Sequence, residues 1–386
     1  MRRIFVYLVI AGMLVGMIPL VVRGAELNVG GKSAFLMDVQ TGTILYECNA
    51  REPLAPASVT KVMTMLLSME AIDSGKIRWE DMVTASETAA AKGGSQVYLK
   101  VGEQMSVADM LKSIAVSSAN DCACAMAEHL AGSESAFVER MNARAKELGM
   151  EDTKFVNCTG LDDAPEAAEH KTSARDIALM SRELLKNHPK IKEYTTIWMS
   201  SVRNGEFGLS NTNKLIRFYD GATGLKTGFT SGAGYCLSAS AQREGMELIA
   251  VVMGAESSQI RFAACKSMLD YGFANFSVVS PEITEVGTVP VRLGKAAVAV
   301  PRLGECEGLL IDKAQKNAIT TEVTLEESVT APVNQGQRLG TLRLMAGQQV
   351  LREVPLVAGE AVDRLSWLDL FIMVLRRAAM AKVQAA

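Results

Sequence analysis

The chain has 386 residues and a formal net charge of −3 at pH 7; 48% of its residues are hydrophobic and 22% are charged. That length exceeds one compact domain, and the apolar content supports a sizeable core, which excludes an intrinsically disordered chain. The slightly acidic balance carries no basic excess and excludes a nucleic-acid-binding class.

The chain opens with "MRR", a 19-residue apolar run from Ile4 to Val22, and "RGAEL". This pattern reads as a signal peptide over residues 1–25, cut near Gly24 or Ala25, with a retained anchor helix as the alternative. The remainder is expected outside the cytoplasm. Its seven cysteines are odd in number and irregularly spaced, so most read as small buried apolar residues rather than a disulfide framework. An exported chain without dense disulfides fits a bacterial cell envelope.

Residues 26–275 mix helical and strand patterns. "SAFLMDVQTGTILYECN" reads as two strands around the turn "QTG". "LAPASVTKVM" then places Ser58 at the start of a helix, with Lys61 one turn in on the same face. "VADMLKSIAVSSANDCACAMAEHL" predicts two helices with a break near Ser118. "SAFVERMNARAKELGM" and "SARDIALMSRELLKNHP" predict two more, the second opened by a serine cap and stopped by a proline. "GYCLSASAQREGMELIAVVMGA" reads as two strands joined at "REG", and "QIRFAACKSMLDYGFANF" as a closing helix.

Residues 276–360 alternate apolar and polar positions between glycine and proline turns, which predicts a small antiparallel β domain. Residues 363–386 set Trp367, Phe371, Val374 and Ala378 on one helical face and Ser366, Asp369, Arg376 and Arg377 on the other. The charges interrupt this segment too often for a spanning helix; it reads as an amphipathic helix lying at a membrane surface.

Some signals are decoys. "GGKS" at Gly30 to Ser33 resembles a phosphate loop, but Glu26 stands where that pattern requires glycine. The three histidines, His129, His170 and His188, form no zinc-binding pair, and no "GxSxG" elbow occurs. Neither a metal nor a cofactor is expected.

Three short motifs remain: "SVTK" with Ser58 and Lys61, "SAN" at Ser118 to Asn120, and "KTG" at Lys226 to Gly228. A serine hydroxyl is a poor nucleophile until a base takes its proton. Without histidine, a lysine serves if it is neutral, which burial and a second cation such as Lys226 favour. Ser118 falls where it can relay a proton to a leaving amine, and Asn120 where it can bind a substrate amide. Lys226 and Thr227 read as part of a strand facing the same cleft. Gly228 allows close backbone approach, and the backbone N–H groups of Ser58 and Phe229 are candidates for an oxyanion hole.

The set resembles the penicillin-binding proteins and serine β-lactamases. More narrowly, "PASVTKVMT", "SSANDCACAMAEHLAG", "FVNCTGLDD", "TSARDIALMS" and "LKTGFTSGAGYCL" resemble the low-molecular-weight D-alanyl-D-alanine carboxypeptidases. The resemblance implies an α/β (α+β) fold: an antiparallel sheet flanked by helices, an all-helical subregion, a small β-sandwich-like domain and a C-terminal amphipathic helix. It implies that Ser58 is acylated by peptidoglycan stem peptides and by β-lactams, at the extracytoplasmic face of the cytoplasmic membrane. It also suggests Arg261 as a partner of the substrate carboxylate, against the alternative of a surface arginine at a helix start. Ala119 stands where class A β-lactamases carry aspartate, and Phe229 where some relatives carry histidine. A β-lactamase or esterase on the same fold, or a low-turnover penicillin sensor, are the competing readings.

Overall fold

A computed structural model describes residues 27, 29–281, 286–306 and 308–373. The expected signal peptide and the expected helix beyond residue 373 lie outside the described residues.

The predicted hairpin "QTG" joins β1 (Ser33–Asp38) to β2 (Ile44–Cys48). A helical region follows: α1 (Lys61–Asp73), α2 (Val107–Ser117), α3 (Asn120–Ala131) and α4 (Glu134–Glu147), then α5 (Ala174–Asn187). The chain returns through β3 (Ala222–Thr230), β4 (Gly234–Arg243) and β5 (Met246–Ala255) and closes with α6 (Ser258–Asn275). Ser106, Ser133, Ser173 and Ser257 cap α2, α4, α5 and α6, each side chain accepting a first-turn backbone N–H.

The five strands form one antiparallel sheet in the order β2-β1-β5-β4-β3. Strand β1 is buried on both faces. Its alternating side chains divide between two cores: Phe35 and Met37 join Met63, Met65 and Leu66 of α1 and Ile177 of α5. Ala34 and Leu36 join Cys265, Met268 and Leu269 of α6. The sheet is thus covered by helices on both sides, with β3 left as an edge beside the helical region. That edge and the start of α1 are where the motifs converge.

The C-terminal β domain contains a four-stranded sheet, Pro301–Leu303, Gln349–Ala358, Arg338–Ala346 and Ile319–Leu325 in spatial order, and a three-stranded one. Lys313 of this domain donates to the Phe273 carbonyl at the end of α6, 2.6 Å away. Residues 367–373 are helical, and Ser366 and Asp369 form a reciprocal cap at their start. Among the described residues no helix is long and apolar enough to cross a membrane.

Candidate active site

Ser58 lies in a 3-10 turn, Ala57–Thr60, that runs directly into α1. The α-helical start expected from the sequence is therefore a tighter turn. In 3-10 geometry residues i and i+3 eclipse, which stacks Lys61 over Ser58 more closely than an α-helix would. Lys61 Nζ lies 2.9 Å from Ser58 Oγ and 2.8 Å from the Thr159 carbonyl oxygen. Lys61 has 0% of its surface exposed. Burial pulls its pKa down to about 7, against the opposing pull of Cys158 and Asp121. In its neutral form the amine would keep an N–H for the Thr159 carbonyl and have a lone pair for the Ser58 hydroxyl.

The turn is held in a conformation that an L-residue rarely takes: Ala57 has φ +48°. Thr60 Oγ1 donates to the Ala57 carbonyl, 2.8 Å away, and lies 2.8 Å from His170 Nε2. The Val156 N–H donates to His170 Nδ1 at 3.0 Å, so the ring proton sits on Nε2 and points at Thr60. Burial, with Lys61 as a second cause, holds His170 down to about 4, so it is neutral at physiological pH. Two glycines press the turn from either side. A β-carbon on Gly160 would collide with the Ala57 carbonyl, and one on Gly228 would lie 2.6 Å from the Pro56 oxygen.

The second motif occupies the sharp turn between α2 and α3. Ser118 caps α2 in the left-handed region at φ 64°, and Asn120 is the first residue of α3. Asn120 Nδ2 donates to the Gly93 carbonyl at 2.7 Å, which fixes the amide orientation. Its buried Oδ1 has no partner among the described residues.

The third motif lies on the edge strand β3. Lys226 is buried, and desolvation followed by the charges of Lys61 and Arg261 holds it well below the usual lysine pKa. Thr227 Oγ1 donates to Thr212 Oγ1, 2.7 Å away, and the Thr212 N–H donates to the Val116 carbonyl, 3.1 Å away. This loop links the strand to the helix that carries Ser118. Asn213 stiffens it by donating to the Gly224 carbonyl. Phe229 is 53% exposed, with its ring centroid 4.3 Å from that of Tyr235.

Arg261 is only 8% exposed, so the surface-arginine alternative fails. Its Nη1 donates to the Gly228 carbonyl at 2.8 Å and to Cys236 at 3.2 Å. It braces the strand behind the third motif. His170, Thr60, Thr212 and Asn213 were not anticipated from the sequence. "PEAAEH" looks like a solvated loop, and only packing from distant segments buries its histidine.

The D-alanyl-D-alanine carboxypeptidase family matches residues 21–257, and the penicillin-binding protein 5 C-terminal domain matches residues 284–364. D-alanyl-D-alanine carboxypeptidase DacF of Bacillus subtilis is 43% identical over 89% of this chain and 88% of its own. The crystal structure of penicillin binding protein 6B from Escherichia coli superposes with a TM-score of 0.70 at 32% identity, covering 89% of this chain and 99% of that one. Penicillin-Binding Protein D2 of Listeria monocytogenes in its ampicillin-bound form superposes with a TM-score of 0.57 at 31% identity, over 64% of this chain and 100% of that one. The family match over residues 21–257, together with a relative 43% identical over 89% of the chain, places this protein in the D-alanyl-D-alanine carboxypeptidase family, as a serine-type enzyme.

Proposed function

We propose that the protein removes the terminal D-alanine from peptidoglycan stem pentapeptides through an acyl-enzyme on Ser58, and that penicillin acylates the same hydroxyl. The observation that carries this reading is the 2.9 Å approach of Lys61 Nζ to Ser58 Oγ, with the lysine fully buried. Neutral Lys61 takes the Ser58 proton as Oγ attacks the carbonyl of the penultimate D-alanine. The N–H groups of Ser58 and Phe229 receive the oxyanion, each donor contributing about 3–4 kcal/mol in such sites. Ser118 passes a proton to the departing D-alanine amine. Water then hydrolyses the ester.

Asn120 Oδ1, an acceptor without a partner among the described residues, suits a substrate amide N–H. Lys226 and Thr227 receive the terminal carboxylate. Because Lys226 is held well below its usual pKa, an arriving carboxylate favours the ammonium and draws in a proton. Arg261 fixes the Gly228 carbonyl and adds a second positive charge beside Lys226 on the carboxylate side of the site. The ampicillin-bound relative supports β-lactam acylation. The signal-peptide pattern and the exposed apolar residues of the 367–373 helix support action at the extracytoplasmic membrane face.

The test is twofold. Diacetyl-lysyl-D-alanyl-D-alanine should release D-alanine. Mass spectrometry after penicillin should find one adduct, on the peptide containing Ser58, absent in Ser58→Ala. An adduct on any other peptide removes the site assignment; no D-alanine release removes the carboxypeptidase reading.

A further inference from the structure

We propose that Cys124, Cys158 and Glu134 form a binding site for a thiophilic divalent cation of the Zn2+ class. The three come from separate parts of the helical region. Cys124 lies on α3, Glu134 opens α4, and Cys158 belongs to the segment whose next residue, Thr159, holds Lys61. The Cys158 thiol donates to Glu134 Oε1 at 3.1 Å, and the Cys158 N–H donates to the same oxygen at 3.2 Å. The Cys124 thiol points at Oε2 from 3.8 Å. All three donor atoms lie within 4.8 Å of one another.

Cys265 behaves differently: it donates to the backbone carbonyl of Ala250 and fits the expected role of a small buried apolar residue. Cys124 and Cys158 instead share one carboxylate. The Lys92 ammonium, 2.5 Å from Glu134 Oε2, neutralises that carboxylate. The cluster therefore sums to zero charge. Exchanging the two thiol protons for one dication, M2+ + 2 RSH → M(SR)2 + 2 H+, leaves the sum at zero. Binding thus places no net charge in the interior, which is the usual obstacle to a buried ion. Two thiolates and one carboxylate select a Zn2+-class ion over Mg2+ or Ca2+, with water as the fourth donor and Lys92 as the outer partner of the carboxylate.

The placement gives the ion a consequence for the active site. The Cys158 carbonyl accepts from Thr64 Oγ1 on α1 at 2.7 Å, one residue before the carbonyl that holds Lys61. A cation here would tie α3 and α4 to the segment that orients the general base.

The experiment uses the full mature chain, reduced, stripped with a chelator and titrated with Co2+ under anaerobic conditions. We expect one equivalent to bind with near-ultraviolet thiolate-to-cobalt charge transfer, and Zn2+ to displace it. Cys124→Ser and Cys158→Ser should lose the band while Cys265→Ser keeps it, and Glu134→Gln should weaken binding by about tenfold or more. Should a serine variant not fold by circular dichroism, X-ray absorption of the Zn2+-loaded wild type decides, with two sulfurs at about 2.3 Å expected. No charge transfer in the wild type, a band that survives both serine variants, or Zn2+ without sulfur neighbours would each overturn the site. So would a Cys124–Cys158 disulfide in the isolated protein that, once reduced, leaves cobalt unbound.

Discussion

Gly228 passes so close to Ser58 that a β-carbon on the glycine would lie 3.1 Å from the serine's backbone nitrogen. Strand β3 and the nucleophile turn are therefore in close backbone contact, and the oxyanion hole proposed from the Ser58 and Phe229 N–H groups requires that contact to hold. Gly228→Ala must push the strand and the turn apart. We expect penicillin acylation to slow by about 10²–10³, the range for losing one oxyanion donor. Gly208→Ala, where nothing lies within 4 Å of the added carbon, should leave the rate unchanged. Stopped-flow acylation distinguishes them; equal rates in the two variants would detach Gly228 from catalysis.

Lys61 makes a prediction about pH with two readouts. Its pKa near 7 means that the base form declines below neutrality. Acylation should fall about tenfold per unit below pH 7 and level off above it. Stability moves with the same group. An unfolded lysine stays protonated up to about 10.4, so between about 7 and that value the unfolded state holds the extra proton and folding gains as pH rises. The wild type should therefore gain melting temperature from pH 7 to pH 9 more steeply than Lys61→Met. Parallel curves would mean that the lysine is not buried as an uncharged amine.

His170 should act through Thr60 on the carbonyl of Ala57, without touching substrate. Removing either residue frees the strained turn that carries Ser58. We expect His170→Ala and Thr60→Val each to reduce acylation by about 10², in line with a misplaced reacting group. The double variant should be scarcely slower than either single one, since both remove the same constraint. Independent, additive losses would show that the relay does not exist. The acid side gives a second check. His170 is held at about 4 in the fold against an ordinary value of 6.5, so its contribution to stability is complete above 6.5 and is lost as pH falls toward 4. His170→Ala should flatten the stability curve across that window.

The sequence made the local elements plain and left the partnerships hidden. Turn residues and period-two alternation marked both hairpins, and the serine cap expected for α5 is present as Ser173, whereas the caps Ser106, Ser133 and Ser257 of α2, α4 and α6 were not anticipated. Alternation does not say that β1 pairs with β5, from the far end of the domain. Nor does helical spacing distinguish a 3-10 turn from an α-helix at Ser58, because a single turn looks alike in both. The motif residues were legible because their types are chemically unusual in such an order. His170, Asn213 and the burial of Arg261 were not, because each owes its role to carbonyls and hydroxyls of distant segments, which carry no sequence signature.

The end of the described chain carries the last prediction. Ser366 and Asp369 fix the start of a helix whose apolar residues find little cover among the described residues: Trp367 is 78% exposed, and Leu368, Phe371 and Ile372 are exposed with it. Apolar side chains presented together on one short helix suit a lipid interface, with tryptophan at headgroup depth. A mature chain beginning at residue 26 should sediment with anionic vesicles. Truncation after Arg364 should leave it in the supernatant with D-alanine release unaltered. Trp367→Glu with Phe371→Glu should do the same without shortening the chain. If the truncated protein still pellets with vesicles, the β domain or the catalytic domain must hold the membrane, and the helix has another partner.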